Sequence, residues 1–141
     1  MAEASNQLRV RLVTPERTIF EQPVETVELP AKNGYIEVLY GHAPLVAELG
    51  AGEVTLHGCA EGDQTYYVNW GFAEVLPGRV TILASDVLKP EDIDLPRAEK
   101  QLDRGVELWK KAGDSVAAYD EALRVINEAE AKMASVANKI K

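Results

Sequence analysis

This chain is short of the residues that most directly advertise chemistry. Of its 141 residues one is cysteine and two are histidine, so no intrachain disulfide can form, and a metal site built from thiolates and imidazoles has almost nothing to draw on. No apolar stretch approaches the roughly twenty residues that a membrane-crossing helix needs, which leaves any membrane association to a partner. Basic residues are scarce where a nucleic-acid surface would need them. Residues 1–88 hold five Lys/Arg against twelve Asp/Glu, a net −7, and offer nucleic acid no cationic face. Residues 89–141 hold ten against eleven, nearly neutral but densely charged, as suits a surface hairpin that pairs with itself or with a partner. A glycine-rich phosphate loop of the Walker type is missing. The opening residues Met1 to Asn6 carry neither the basic segment nor the apolar core of an export or import signal, which predicts the cytosol or a compartment that makes its own proteins.

What is present is a change of hydrophobic rhythm near residue 90. Before it lie short alternating runs and eight of the ten glycines; after it come nearly fifty helix-patterned residues with two. Leu8 to Val13 and Arg79 to Ala84 carry the period-2, β-branched signature of half-buried strands. Nine strand segments are predicted, at 7–13, 17–20, 24–29, 34–40, 45–48, 53–57, 64–70, 71–76 and 79–84. Between them stand turn signals such as Gln22-Pro23, Lys32-Asn33-Gly34, Gly41-His42-Ala43-Pro44 and Pro77-Gly78-Arg79. Short strands at this spacing imply a β-sandwich or flattened barrel, with Leu8, Val10, Leu12, Val80, Ile82 and Ala84 inward and Arg9 and Arg11 in water.

The remainder reads as an antiparallel two-helix hairpin. Asp94 is placed to cap a helix with Pro96 in its first turn, Gly113 to end it, and Asp114 or Ser115 to cap a second. Leu95, Ala98, Leu102, Val106 and Trp109 are expected on one face of the first helix. The stripe expected on the second is Val116, Tyr119, Leu123, Ile126, Met133, Val136 and Ile140, with Ala122, Ala129 and Ala137 between them. The organisation is therefore a β-sandwich over 1–88 followed by a helical hairpin over 89–141.

Catalytic constellations are thin. His57 and Cys59, two apart on a predicted strand, share a face and would suit a thiol–imidazole pair or a metal, but no second ligand pair follows at metal spacing and a buried lone cysteine behaves as a small hydrophobe. His42, in its Gly-His-Ala-Pro turn, has no nucleophile nearby in sequence to activate. Glu128 and Glu130 are spaced to point apart on a solvated helix face. The start Ile93-Asp94-Leu95-Pro96-Arg97-Ala98 places an acceptor and a guanidinium beside free backbone donors, an arrangement that suits an ordinary capped helix and also a nucleotide contact.

Two segments together carry a resemblance. Gly41-His42-Ala43-Pro44-Leu45 and, some thirty residues on, the run from Gly71 to Ala84 (GFAEVLPGRVTILA), followed by the hairpin, closely resemble the epsilon-subunit family of bacterial F-type ATP synthases over nearly the whole chain. The resemblance implies a non-catalytic subunit of the central rotor stalk, peripheral to the cytoplasmic face of the bacterial plasma membrane and touching the membrane only through the complex. It implies gamma-subunit contacts at His42, Ala43, Pro44 and Leu45, and c-ring contacts at Asn33, Gly34 and Tyr35, turn residues exposed at one end of the sandwich. The family's hairpin is mobile: folded it permits turnover, and extended along gamma it meets the catalytic beta and alpha subunits and restrains hydrolysis. Ile93, Asp94, Arg97 and Ala98 match the family's nucleotide motif, and Arg104 offers a further cation. Glu128 and Glu130 stand where nucleotide-binding members place basic side chains, so the expectation is no tight cofactor and weak ATP binding. Two other classes are open to test: a free-standing β-sandwich binding module with a helical oligomerisation hairpin, and a small thiol enzyme built on His57 and Cys59.

Overall fold

Alternation of apolar and polar side chains sets eight strands among the described residues: β1 (Leu8–Val13), β2 (Thr18–Val24), β3 (Thr26–Ala31), β4 (Gly34–Leu39), β5 (Leu45–Leu49), β6 (Gly52–His57), β7 (Gln64–Leu76) and β8 (Arg79–Leu88). In the computed structural model, which describes residues 7–140, they form a β-sandwich. Hydrogen-bonded neighbours run β2-β1-β8-β7-β5-β3-β4, and β6 pairs with both β3 and β7. β1 lies parallel to β8, Val10 beside Val80 and Leu12 beside Ile82. The chain's first strand is thereby stitched to its last.

The core is the set of inward positions that the alternation predicts. Leu8, Val10 and Leu12 on β1 and Val80, Ile82 and Ala84 on β8 are all fully buried, facing Val27, Leu29, Val38, Val54 and Leu56 from the other strands. Phe20 meets Tyr66 edge-on, with ring centroids 6.3 Å apart. Arg9 and Arg11 point outward to Glu21 on β2, at 3.4 and 3.8 Å. Those exposed pairs add little stability.

Several strand boundaries differ from the sequence expectation: β3 is shifted to Thr26–Ala31, β8 runs on to Leu88, and the largest changes are at β2 and β7. β2 continues through Gln22-Pro23, which reads as a turn; β2 is an edge strand, so the missing Pro23 N–H leaves no ladder bond unmade. The predicted segments 64–70 and 71–76 are one strand, β7, bent at their junction. Its first half pairs with β6, Val68 opposite Gly52, and its second half pairs with β5, Gly71 opposite Leu49. At the change of partner Trp70 adopts φ +41, a left-handed conformation costly for a bulky residue, and Gly71 follows at φ +156. A Cβ on Gly71 would overlap the Leu83 carbonyl oxygen. Only glycine lets β7 pass this close to β8.

The second unit, Lys89–Lys141, is a helical hairpin. After a single 3-10 turn at Pro90–Asp92, α1 (Leu95–Lys111) starts under an Asp94 cap, whose Oδ1 accepts the Arg97 N–H at 3.2 Å. Gly113 at φ +57 follows the helix end, and Ser115 caps α2 (Val116–Ile140) by accepting the Ala118 N–H at 3.2 Å. The buried residues on α1 are Ala98 and Gly105, seven apart, with Ala112 buried at its C-cap; on α2 they are Ala122 and Ala129, seven apart, and Ser135. A Cβ on Gly105 would lie 2.7 Å from Ile126 Cγ1 and 3.2 Å from the Ile126 backbone nitrogen, so the missing side chain is what lets α2 approach. The larger residues expected inward near the hairpin tip are exposed instead. Val116 is 74% exposed, and Trp109 and Tyr119 lie outside the seam with their rings against each other at 6.3 Å. The inward position nearest the tip is taken by the small, buried Ala112, and the larger side chains around it turn outward. Ile140, expected on the stripe, lies outside the described side chains.

Gly71→Ala is expected to destabilise the protein by about 3 kcal/mol or more, because neither the Leu83 carbonyl nor β7 can move without breaking sheet hydrogen bonds. Gly50→Ala is the matched control. Its nearest neighbour would be at 3.6 Å, an ordinary contact, and its cost should stay within about 1 kcal/mol. Urea denaturation of both variants checks the contrast.

Candidate functional site

The His42 to Leu45 segment leaves β4 and enters β5. Gly41, at φ +91, turns the chain and donates its N–H to Pro77 O at 2.6 Å, while His42 N–H returns to Leu39 O at 3.1 Å. The Tyr40 ring lies beside Gly78, within 3.8 Å of where a Cβ would stand. Leu45 pairs with Val75. The two distinctive sequence segments, thirty residues apart, are thus one patch of surface. His42 is half-buried, with Nδ1 2.7 Å from Ala43 O, which holds the ring against its own backbone rather than against a reacting group. Ala43, Pro44 and Leu45 are exposed, Leu45 at 40%, and Leu39, Tyr40 and Val46 extend the apolar surface around them.

Asn33 lies in the β3–β4 turn, and Gly34, at φ +134, and Tyr35 open β4. Tyr35 is 60% exposed, yet its hydroxyl accepts the Glu53 N–H at 2.8 Å and its ring covers Gly52, where a Cβ would collide with the phenol oxygen. The turn is fastened, not floppy. It does not share an end with His42: β4 separates them, and its six residues span about 17–20 Å. Partners at the two places need not compete.

In the hairpin, Ile93 closes the 3-10 turn by donating to Pro90 O at 3.3 Å, Asp94 is committed to its helix cap, Arg97 is exposed and Ala98 is buried. Asp94 and Arg97 come together, but through the backbone N–H of Arg97. Arg104 is exposed on the same helix. Glu128 corrects the sequence reading. It is half-buried and accepts a hydrogen bond at 3.1 Å from Gln101 Nε2, which also donates to the Val125 carbonyl at 3.2 Å. The sequence spacing shows only that Glu128 and Glu130 diverge. It is the close helix approach at Gly105 that turns Glu128 toward α1 and leaves Glu130 in water.

His57 and Cys59 do not form a pair. The strand ends at His57, Gly58 turns at φ +78, and alternation stops there. Cys59 Sγ is buried and donates to Leu56 O at 3.6 Å, with its ionisation pushed up by burial and by the Asp63 charge. His57 is held by Glu28 and Asp63. Among the described residues no group of three potential ligands is placed to hold a metal ion, and no helix is long and apolar enough to cross a membrane.

Sequence reasoning missed an exposed apolar pair on the outer sheet face, Phe72 opposite Leu83. The signal was available: within the run from Gly71 to Ala84, Ala73, Val75, Val80 and Ile82 take the inward positions, so Phe72 and Leu83 fall on outward ones normally polar.

Comparison with known proteins places this geometry. Residues 7–90 match the family described as "ATP synthase, Delta/Epsilon chain, beta-sandwich domain". The ATP synthase epsilon chain of Koribacter versatilis is 41% identical over 103 residues, covering 72% of this chain and 71% of that one. The ATP synthase epsilon chain of Solibacter usitatus is 36% identical over 135 residues, 94% of this chain and 97% of its own length. Among solved structures, a chain of the Euglena gracilis mitochondrial ATP synthase (OSCP/F1/c-ring) superposes with a TM-score of 0.79 at 22% identity, covering 93% of this chain and 82% of that one. A chain of the Tetrahymena thermophila mitochondrial ATP synthase central stalk/c-ring gives 0.69 at 13% identity, covering 92% and 96%. At those identities the structural likeness speaks for a shared fold.

Proposed function

The chain belongs to the delta/epsilon family of ATP synthase, and from that premise we propose that it is a non-catalytic rotor subunit that links gamma to the c-ring and carries its own regulatory arm. The observation that supports this most is the union of the Gly41 to Leu45 and Gly71 to Ala84 segments into one patch, tied by Gly41 N–H to Pro77 O at 2.6 Å. Apolar residues clustered around a fixed turn suit a permanent subunit contact. In this reading His42, Ala43, Pro44 and Leu45 meet gamma, with Leu39, Tyr40 and Val46 widening the contact. Asn33, Gly34 and Tyr35 meet the c-ring loops from the other end of β4. Two sites one strand apart let a single rigid sandwich bridge two rotor parts. The subunit would sit peripherally on the membrane's cytoplasmic face, through the complex.

The hairpin is proposed as the regulatory arm, folded during turnover and extended along gamma toward the catalytic beta and alpha subunits when hydrolysis is to be restrained. Its short seam of small residues exposes Trp109, Val116 and Tyr119, apolar surface available to a second resting place. ATP would bind weakly. Arg97 supplies one cation, but Asp94 is spent on its helix cap and Glu128 faces the same helix from α2.

Three outcomes check these roles. Leu45→Asp should weaken association with gamma about a hundredfold or more by burying an unpaired charge, and unchanged affinity by calorimetry would remove the His42 patch from the interface. ATP titrated into the isolated subunit should bind in the high micromolar range or worse, about −6 kcal/mol or less favourable, whereas a Kd near 1 μM would refute the charge argument. Removing the residues after Leu88 should raise ATP hydrolysis by the assembled enzyme less than about a hundredfold, the mark of a moderate brake.

A further inference from the structure

His57 ends β6, and both of its ring nitrogens face carboxylates. Nε2 lies 2.5 Å from Glu28 Oε2 on β3, and Nδ1 lies 2.9 Å from Asp63 Oδ2. A neutral imidazole carries one N–H and can donate to one of them; the imidazolium donates to both. The other Asp63 oxygen accepts the Gly58 N–H at 3.0 Å, closing a ring around the loop that joins β6 to β7. That loop is fastened at two points. Cys59 is its inward anchor, nearly buried in the sandwich core, with its carbonyl accepting the Gly62 N–H at 3.0 Å. Asp63 is its outward anchor, while Ala60, Glu61 and Gly62 between them are exposed. Gly58 stands at φ +78 with the Glu25 side chain filling the space a Cβ would take.

We propose that His57 is a pH-operated latch: its doubly bonded imidazolium holds the Gly58–Asp63 loop closed with Cys59 seated in the core, and loss of one ring proton loosens the loop and lets the thiol become accessible. The charged groups around the ring are acidic. Glu28 comes from β3, Glu37 stands opposite Glu28 on β4, Glu25 lies at the β2–β3 corner, and Glu61 and Asp63 belong to the loop. Once the ring is neutral, Glu28 and Asp63 no longer share a cation, and one of them has no donor from His57. The hydrogen bonds that His57 donates to Glu28 and then to Asp63 hold it above the ordinary imidazole value of 6.5, against a smaller opposing effect of burial. The Gly58 N–H and then His57 hold Asp63 below the ordinary 3.8.

The signs give the window. A raised histidine contributes stability that is complete below 6.5 and is lost as pH climbs through the raised folded value. A lowered aspartate contributes stability present above 3.8 and is lost only as pH falls through its depressed value. The latch is therefore closed below 6.5 and opens as pH rises through the raised His57 value, while burial keeps the thiol protonated.

Hydrogen exchange of the Gly58 and Gly62 amides in the full chain tests this, comparing the wild type with His57→Gln from about pH 5.5 to about pH 9. Near pH 6 the variant should exchange roughly five- to tenfold faster, the size of one charge-assisted hydrogen bond discounted for solvent, and the gap should close once pH has passed the raised His57 value. Alkylation of Cys59, the chain's single thiol, should show the same convergence. Equal rates at every pH would overturn the latch. Should the variant fail to fold, NMR titration of the wild-type His57 ring decides: a midpoint above 6.5 supports the latch, and one at or below 6.5 refutes it.

Discussion

The sandwich depends on one backbone event, the change of partner in β7. A strand that pairs with β6 along one half and β5 along the other must turn between them, and it does so beside β8, which stays bonded to both halves. Trp70 in the left-handed region and Gly71 pressed against the Leu83 carbonyl are the physical form of that requirement. Downstream of it, β7 and β8 carry Phe72 and Leu83 to the outer face, and the Pro77-Gly78 turn closes against Gly41. The proposed gamma contact is thus a consequence of how the sheet changes layers.

The hairpin solves a different problem with the same device, the absence of a side chain. Gly105 admits Ile126, and small residues seven apart on both helices keep the contact close. A seam of alanine and glycine buries little area per residue, so the hairpin gains less from closing than a leucine seam would give. That modest gain suits an arm proposed to have two resting places, since a deeply buried interface would hold it in one.

Much of the fold was legible in the sequence because its signals are local. Alternation set Leu8, Val10, Leu12, Val80, Ile82 and Ala84 inward, and Asp94, Ser115 and Gly113 marked helix ends by their cap chemistry. What escaped depended on partners far along the chain. Pro23 reads as a turn until β2 is known to be an edge. Glu128 reads as solvated until Gly105 brings Gln101 to it. His57 reads as half of a thiol pair until Glu28, twenty-nine residues earlier, is placed across β3. The candidate contact residues are legible in a weaker sense. Their sequence motif singles them out, but their adjacency to the Pro77 turn and the separation of Asn33 from His42 by one strand follow only from pairing and register.

In the proposed function the sandwich folds without its arm and carries the gamma contact alone. The direct measurement is a chain ending at Leu88, studied by urea unfolding and by calorimetric titration with gamma. A single cooperative transition, with gamma affinity within about threefold of the full chain, is the predicted result. A fragment without a cooperative transition, or a folded fragment that no longer binds gamma, would contradict it.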